Sequence, residues 1–121
     1  HGLGCPLSPH FGVPHGLAVG VLQRHGILPM GHTCDAACQR IVSFINPEEG
    51  CKKEEAREKL VQMVDGLFDT IGCEKDLKEY HLDAEGIERM VEDAAVHGCT
   101  GLHPVAITKE DIRNIYYDVK G

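Results

Sequence analysis

The 121 residues contain 42% hydrophobic and 26% charged side chains with a mean hydropathy of -0.19, the size and composition of one ordinary soluble domain able to bury a core. Twelve Lys and Arg against nineteen Asp and Glu give a net charge of -7 and a pI near 5.5, so the chain lacks the positive surface that a nucleic acid or an anionic membrane requires. The longest apolar stretch, Gly16 to Leu22, ends at Gln23-Arg24-His25 and falls far short of the ~20 residues of a spanning helix, and no signal peptide is recognisable.

The chain opens on His1-Gly2-Leu3-Gly4-Cys5-Pro6, which resembles neither a cleaved signal nor an expression tag, and it reads as a piece of a longer protein. Residues 1–16, HGLGCPLSPHFGVPHG, hold His1, His10 and His15. On one continuous helix His1 and His15 would stand about 21 Å apart and could not share an ion. Pro6, Pro9 and Pro14, with Gly2, Gly4 and Gly12, break any such helix, and a broken segment can turn back and bring two imidazoles together. From spacing alone, shared metal binding stands beside capping and loop hydrogen bonding as readings of these histidines. Pro14 places His15 in the first turn of the next helix, where a positive charge is disfavoured and a neutral, metal-binding imidazole is tolerated.

Helices are expected from about His15 to His25 and from about Thr33 to Phe44, separated by Leu-Pro-Met-Gly at 28–31 and closed by Asn46-Pro47. Cys34 and Cys38 would share a helical face with nearly parallel side-chain vectors, a poor disulfide geometry. Six cysteines in 121 residues fall below the level of a disulfide scaffold, and the hydrophobic content makes covalent staples unnecessary, so they are read as reduced thiols of a cytoplasmic protein. Leu60, Val61, Val64, Leu67, Phe68 and Ile71 form one stripe of a helix from about Lys53 to Ile71, with Glu54, Glu55 and Glu58 at its positive end and Gly72 as C-cap. A short helix is expected at Lys75 to Tyr80. Asp83 caps a further helix from about Ala84 to Val96, with Ile87, Met90, Val91 and Ala94 or Ala95 inward and Gly98 after it. Thr108 and Asp111 make a near capping box for a last helix ending at Val119, whose apolar side carries Ile107, Ile112 and Ile115. Alternating β-branched runs are absent, so the expected fold is all-α, a single helical domain over residues 1–121 with short connections.

The run from His1 to Gly16 resembles the metal-binding segment of the iron-containing alcohol dehydrogenases. There a His-Gly or His-Ala opens a His-x-x-x-His-Pro-Leu-Gly stretch, and a Pro-His-Gly follows thirteen residues after the first His. This chain has His1-Gly2, Pro6-Leu7 and Pro14-His15-Gly16 at that spacing. The likeness continues through Gly66-Leu67-Phe68 to Leu77, the helix at 87–95 and the tail from Cys99-Thr100 to Ile115-Tyr116.

The resemblance implies a helical C-terminal domain in which His1 and His15 are two of four metal ligands, the others, an Asp and a further His, lying upstream. It also implies a missing N-terminal α/β domain that carries the site for NAD or NADP, a small-molecule alcohol or aldehyde as substrate, and a homo-oligomer. The family name suggests Fe(II), while three His and one Asp suit Zn(II) or Ni(II) equally. Alone, this chain is expected to be inactive, because two ligands make an incomplete site.

The sequence departs from the family pattern in several places. Cys5 stands where a second His, considered for proton relay, is common, and Ser8 replaces a Gly. His10 is a candidate substitute relay, and a small buried thiol is the alternative reading of Cys5. His103 and Val105 replace an Asn and an Arg around Pro104. Cys99 lies on a loop near the active site in relatives and is a candidate pocket residue. His25, His32, His81 and His97 are read as turn and helix-end residues. The segment from His15 to Gly20 also resembles glycerol dehydrogenases and dehydroquinate synthases, whose two histidines lie further apart, and a non-catalytic helical interaction module is the reading from another class. No Ser-His-Asp order, phosphate loop or CxxC pair is present.

Overall fold

The computed structural model describes residues 1–121 and is entirely helical, with no strand. Six α-helices follow one another: α1 (Leu7–Phe11), α2 (His15–Ile27), α3 (Asp35–Ile45), α4 (Ala56–Ile71), α5 (Ala84–Val96) and α6 (Lys109–Lys120). No helix is long and apolar enough to cross a membrane. The chain packs as two compact units, one of residues 1–23 with 74–121 and one of residues 24–73.

The first unit holds the larger core. Ile87, Met90, Val91 and Ala94 on α5 face Ile112, Tyr116 and Val119 on α6, and Leu7, Val13, Ala18 and Leu82 close around them. The start of α5 is fixed by Asp83, whose carboxylate accepts the Gly86 N–H at 2.7 Å. That of α6 is fixed by the expected capping box, in which the Thr108 hydroxyl accepts the Asp111 N–H and the Asp111 carboxylate accepts the Thr108 N–H. Phe11 packs against α5 at Gly86, where a Cβ would lie 2.2 Å from the tip of its ring. α5 ends at Val96 as expected, where His97 turns to an extended conformation (ψ 130°) one residue before Gly98.

The short helix α1 was not foreseen. Pro6 occupies its N-cap and Pro9 lies in its first turn, where backbone N–H groups have no intrahelical acceptor to lose. Gly12, left-handed at φ 70°, ends it, and the Ser8 hydroxyl donates to the Val13 carbonyl at 2.7 Å. The helix expected at Lys75 to Tyr80 is only a 3-10 turn at Lys78–Tyr80. The Leu77 N–H is donated to the Val119 carbonyl at 2.7 Å and so takes no part in a helical ladder.

In the second unit α3 and α4 pack together over Cys38, Val42, Ala56 and Val61. Each is preceded by a 3-10 turn, His32–Cys34 and Lys53–Glu55, where the sequence suggested α-helix. Gly72 terminates α4 in the left-handed conformation as expected. The apolar stripe of α4 is only partly used: Val61 is buried, whereas Leu67 and Ile71 are 55% and 63% exposed. They join Ile41, Phe44 and Ile45 of α3 as large apolar side chains left open to solvent.

Asp35 is the one buried charge, 2% exposed, and it is fully engaged. Arg57 Nε donates to it at 2.6 Å and His32 Nδ1 at 2.8 Å, while Arg57 also donates to the Leu28 carbonyl at 2.6 Å. These two donors hold the Asp35 carboxyl below the usual carboxylate range, His32 contributing most. All six cysteines are free, and burial raises the pKa of the Cys38 thiol.

Candidate metal centre

The first unit brings His1 and His15 together. Their ring centroids are 4.9 Å apart with the planes at 77°, and both residues are exposed. The broken N-terminal segment makes this possible. The His1 carbonyl accepts the N–H groups of Gly4 at 2.9 Å and Cys5 at 3.1 Å, so the chain reverses at once rather than running on as a helix. After α1 and the Gly12 turn it enters α2 at His15, whose first turn is closed by the Ala18 N–H on the Pro14 carbonyl.

Two long-range contacts hold His1 in place. The buried Tyr116 hydroxyl donates to the Leu3 carbonyl at 2.8 Å. Burial raises the Tyr116 pKa well above the usual phenol range, so this donor keeps its proton. Gly2 lies against the loop that follows α5, where a Cβ would stand 2.2 Å from the Thr100 hydroxyl oxygen and 2.9 Å from its backbone nitrogen. That hydroxyl is buried and has no hydrogen-bond partner.

The donor set fits a divalent ion. Two imidazole nitrogens each about 2.1 Å from one ion in tetrahedral geometry set their ring centroids about 5 Å apart. His1 and His15 have that separation. No group of three or more His, Cys, Asp or Glu side chains is gathered to hold an ion.

The other candidates lie elsewhere or at its margin. His10 Nε2 is paired with the Asp93 carboxylate of α5 at 2.7 Å and joins neither His1 nor His15. Cys5 is half-buried. Cys99 is exposed on the loop after α5, and its N–H donates to His97 Nδ1 at 3.2 Å. His97, read from the sequence as a helix-end residue, caps α5 and has its ring centroid 6.5 Å from that of His1.

The first unit thus sets two exposed imidazoles side by side on a glycine-rich turn and a helix N-terminus. The chain belongs to the Fe-containing alcohol dehydrogenase family: residues 1–119 match the C-terminal part of that family. It is similar to the lactaldehyde reductases of Escherichia coli strain K12 and of Escherichia coli O157:H7, at 29% identity over 118 residues in each case. The match covers 97% of this chain and 31% of each relative, so the chain spans about a third of their length.

Proposed function

We propose that the protein carrying this chain is a metal- and NAD(P)-dependent oxidoreductase that interconverts an alcohol with an aldehyde or ketone, and that this chain is its metal-binding helical part, with His1 and His15 as ligands. The observation that carries this is the 4.9 Å approach of the two imidazoles across fourteen residues of broken chain. A divalent ion there, Fe(II), Zn(II) or Ni(II), supplies Lewis acidity to the substrate oxygen, which favours hydride transfer between the carbinol carbon and a nicotinamide.

The residues of this chain hold and orient. The His1 turn and the Tyr116–Leu3 bond fix one imidazole, and the N-terminus of α2 fixes the other. The remaining ligands and the dinucleotide site belong, on this reading, to a part of the protein outside these 121 residues, and the chain alone is inactive. The exposed apolar side chains of α3 and α4 favour further burial against protein, in keeping with a homo-oligomer. A cytoplasmic location agrees with the free thiols.

The name of the relatives makes lactaldehyde the first substrate to try. The test is reduction of lactaldehyde and oxidation of simple alcohols by the full-length protein with NAD(H) and NADP(H), before and after removal of metal by a chelator and return of Fe(II), Zn(II) or Ni(II). Turnover that is lost on chelation and restored by one of these ions is expected. Turnover indifferent to chelation, or none with any alcohol or aldehyde in the loaded protein, would overturn the proposal.

A further inference from the structure

A third imidazole stands beside the His1–His15 pair. His97 ends α5, and its ring centroid lies 6.5 Å from that of His1 with the planes at 61°. Two imidazoles bound to one ion at about 2.1 Å have centroids at most about 6.5 Å apart, and then only in a straight line through it. His1 and His15 are well inside that limit, and His97 stands at it, where only a straight-line arrangement through the ion would serve.

The orientation of the His97 ring is set by its neighbour. Its Nδ1 accepts the backbone N–H of Cys99 at 3.2 Å. A neutral imidazole that accepts at Nδ1 carries its proton on Nε2, which is then a donor and offers no lone pair to an ion. The residue is half-buried, so a ligand oxygen can reach this donor while much of the ring remains shielded. An N–H on a ring that stands beside the pair suits an oxygen atom bound at the centre rather than the ion itself.

We propose that His97 is a ligand-positioning residue of this centre, donating a hydrogen bond from Nε2 to an oxygen of the alcohol, carbonyl or carboxylate group that binds beside His1. The proposal rests on the metal-site reading above and extends it to a residue that reading does not use.

The test uses the full-length protein loaded with Co(II), with acetate as the oxygen ligand, followed through the visible absorption of the ion. Wild type is compared with His97→Phe, which keeps a flat ring without the donor, and His97→Gln, which keeps a side-chain N–H. His97→Leu serves if the Phe variant does not fold by circular dichroism. Co(II) affinity, measured by chelator competition, should stay within about threefold of wild type in every variant, because His97 is not a ligand. Acetate affinity should fall about tenfold in the Phe or Leu variant and return to within about threefold of wild type in the Gln variant, a pattern expected for one lost hydrogen bond to a charged group. Equal acetate affinity in all forms, with Co(II) retained, would overturn the role of His97 and leave the metal site standing. A loss of Co(II) on His97→Phe as large as on His15→Ala would overturn it in favour of direct ligation. A wild-type protein that takes up no Co(II) overturns both proposals.

Discussion

The hydroxyl of Tyr116 donates a 2.8 Å hydrogen bond to the backbone carbonyl of Leu3, joining the last helix to the turn that carries His1. Tyr116 is fully buried, so its replacement by Phe leaves a carbonyl without its partner inside the first unit. Tyr116→Phe is expected to cost about 1–2 kcal/mol of stability in urea unfolding. Because the lost bond steadies the His1 turn, metal affinity should fall as well, while His10→Ala, at a residue paired instead with Asp93, should leave metal affinity unchanged.

Gly2 is fixed by the lack of room at Thr100. A Cβ at position 2 would meet both the hydroxyl oxygen and the backbone nitrogen of Thr100, and the backbone cannot swing aside as a flexible side-chain end can. Gly2→Ala is therefore expected to destabilise the protein by about 1–3 kcal/mol, the usual range for overpacking. Adding Thr100→Ala removes the closer contact, so the double variant should melt above the Gly2→Ala single variant.

Asp35 makes the second unit sensitive to acid. Its carboxyl is held below its ordinary value by hydrogen bonds from His32 and then Arg57. A pKa lower in the folded than in the unfolded state gives stability that is complete above about 3.9, the unfolded value, and is lost as pH falls through the folded one. Asp35→Asn should thus lower the melting temperature at neutral pH, where Arg57 loses its buried counter-charge. The difference from wild type should shrink in acid. Thermal melts across that range check both expectations, and a difference that does not depend on pH would contradict them.

Much of this fold was legible because its signals are local. Asp83 before Gly86, Thr108 with Asp111, and Gly72 after Ile71 each mark a helix end through groups within three residues. The Lys75 to Tyr80 helix failed because a distant acceptor, the Val119 carbonyl, takes the Leu77 N–H. The α4 stripe has the right period, yet period alone does not say whether Leu67 and Ile71 meet a partner within these 121 residues.

The site shows the same division. The spacing of His1 and His15, read with the prolines and glycines between them, allowed the two imidazoles to meet, and they do. His97 joins them from 82 residues beyond His15 through the packing of α5 in the core, a proximity that no local pattern encodes.

The central claim is that His1 and His15 bind one divalent ion, and the most direct measurement is a Zn(II) or Co(II) titration of the full-length protein by calorimetry, in wild type and in His1→Ala and His15→Ala variants shown to be folded. One ion per chain in wild type, with affinity reduced at least about a hundredfold in each variant as expected for a lost metal ligand, is the result this account predicts. Unchanged affinity in either variant would contradict it.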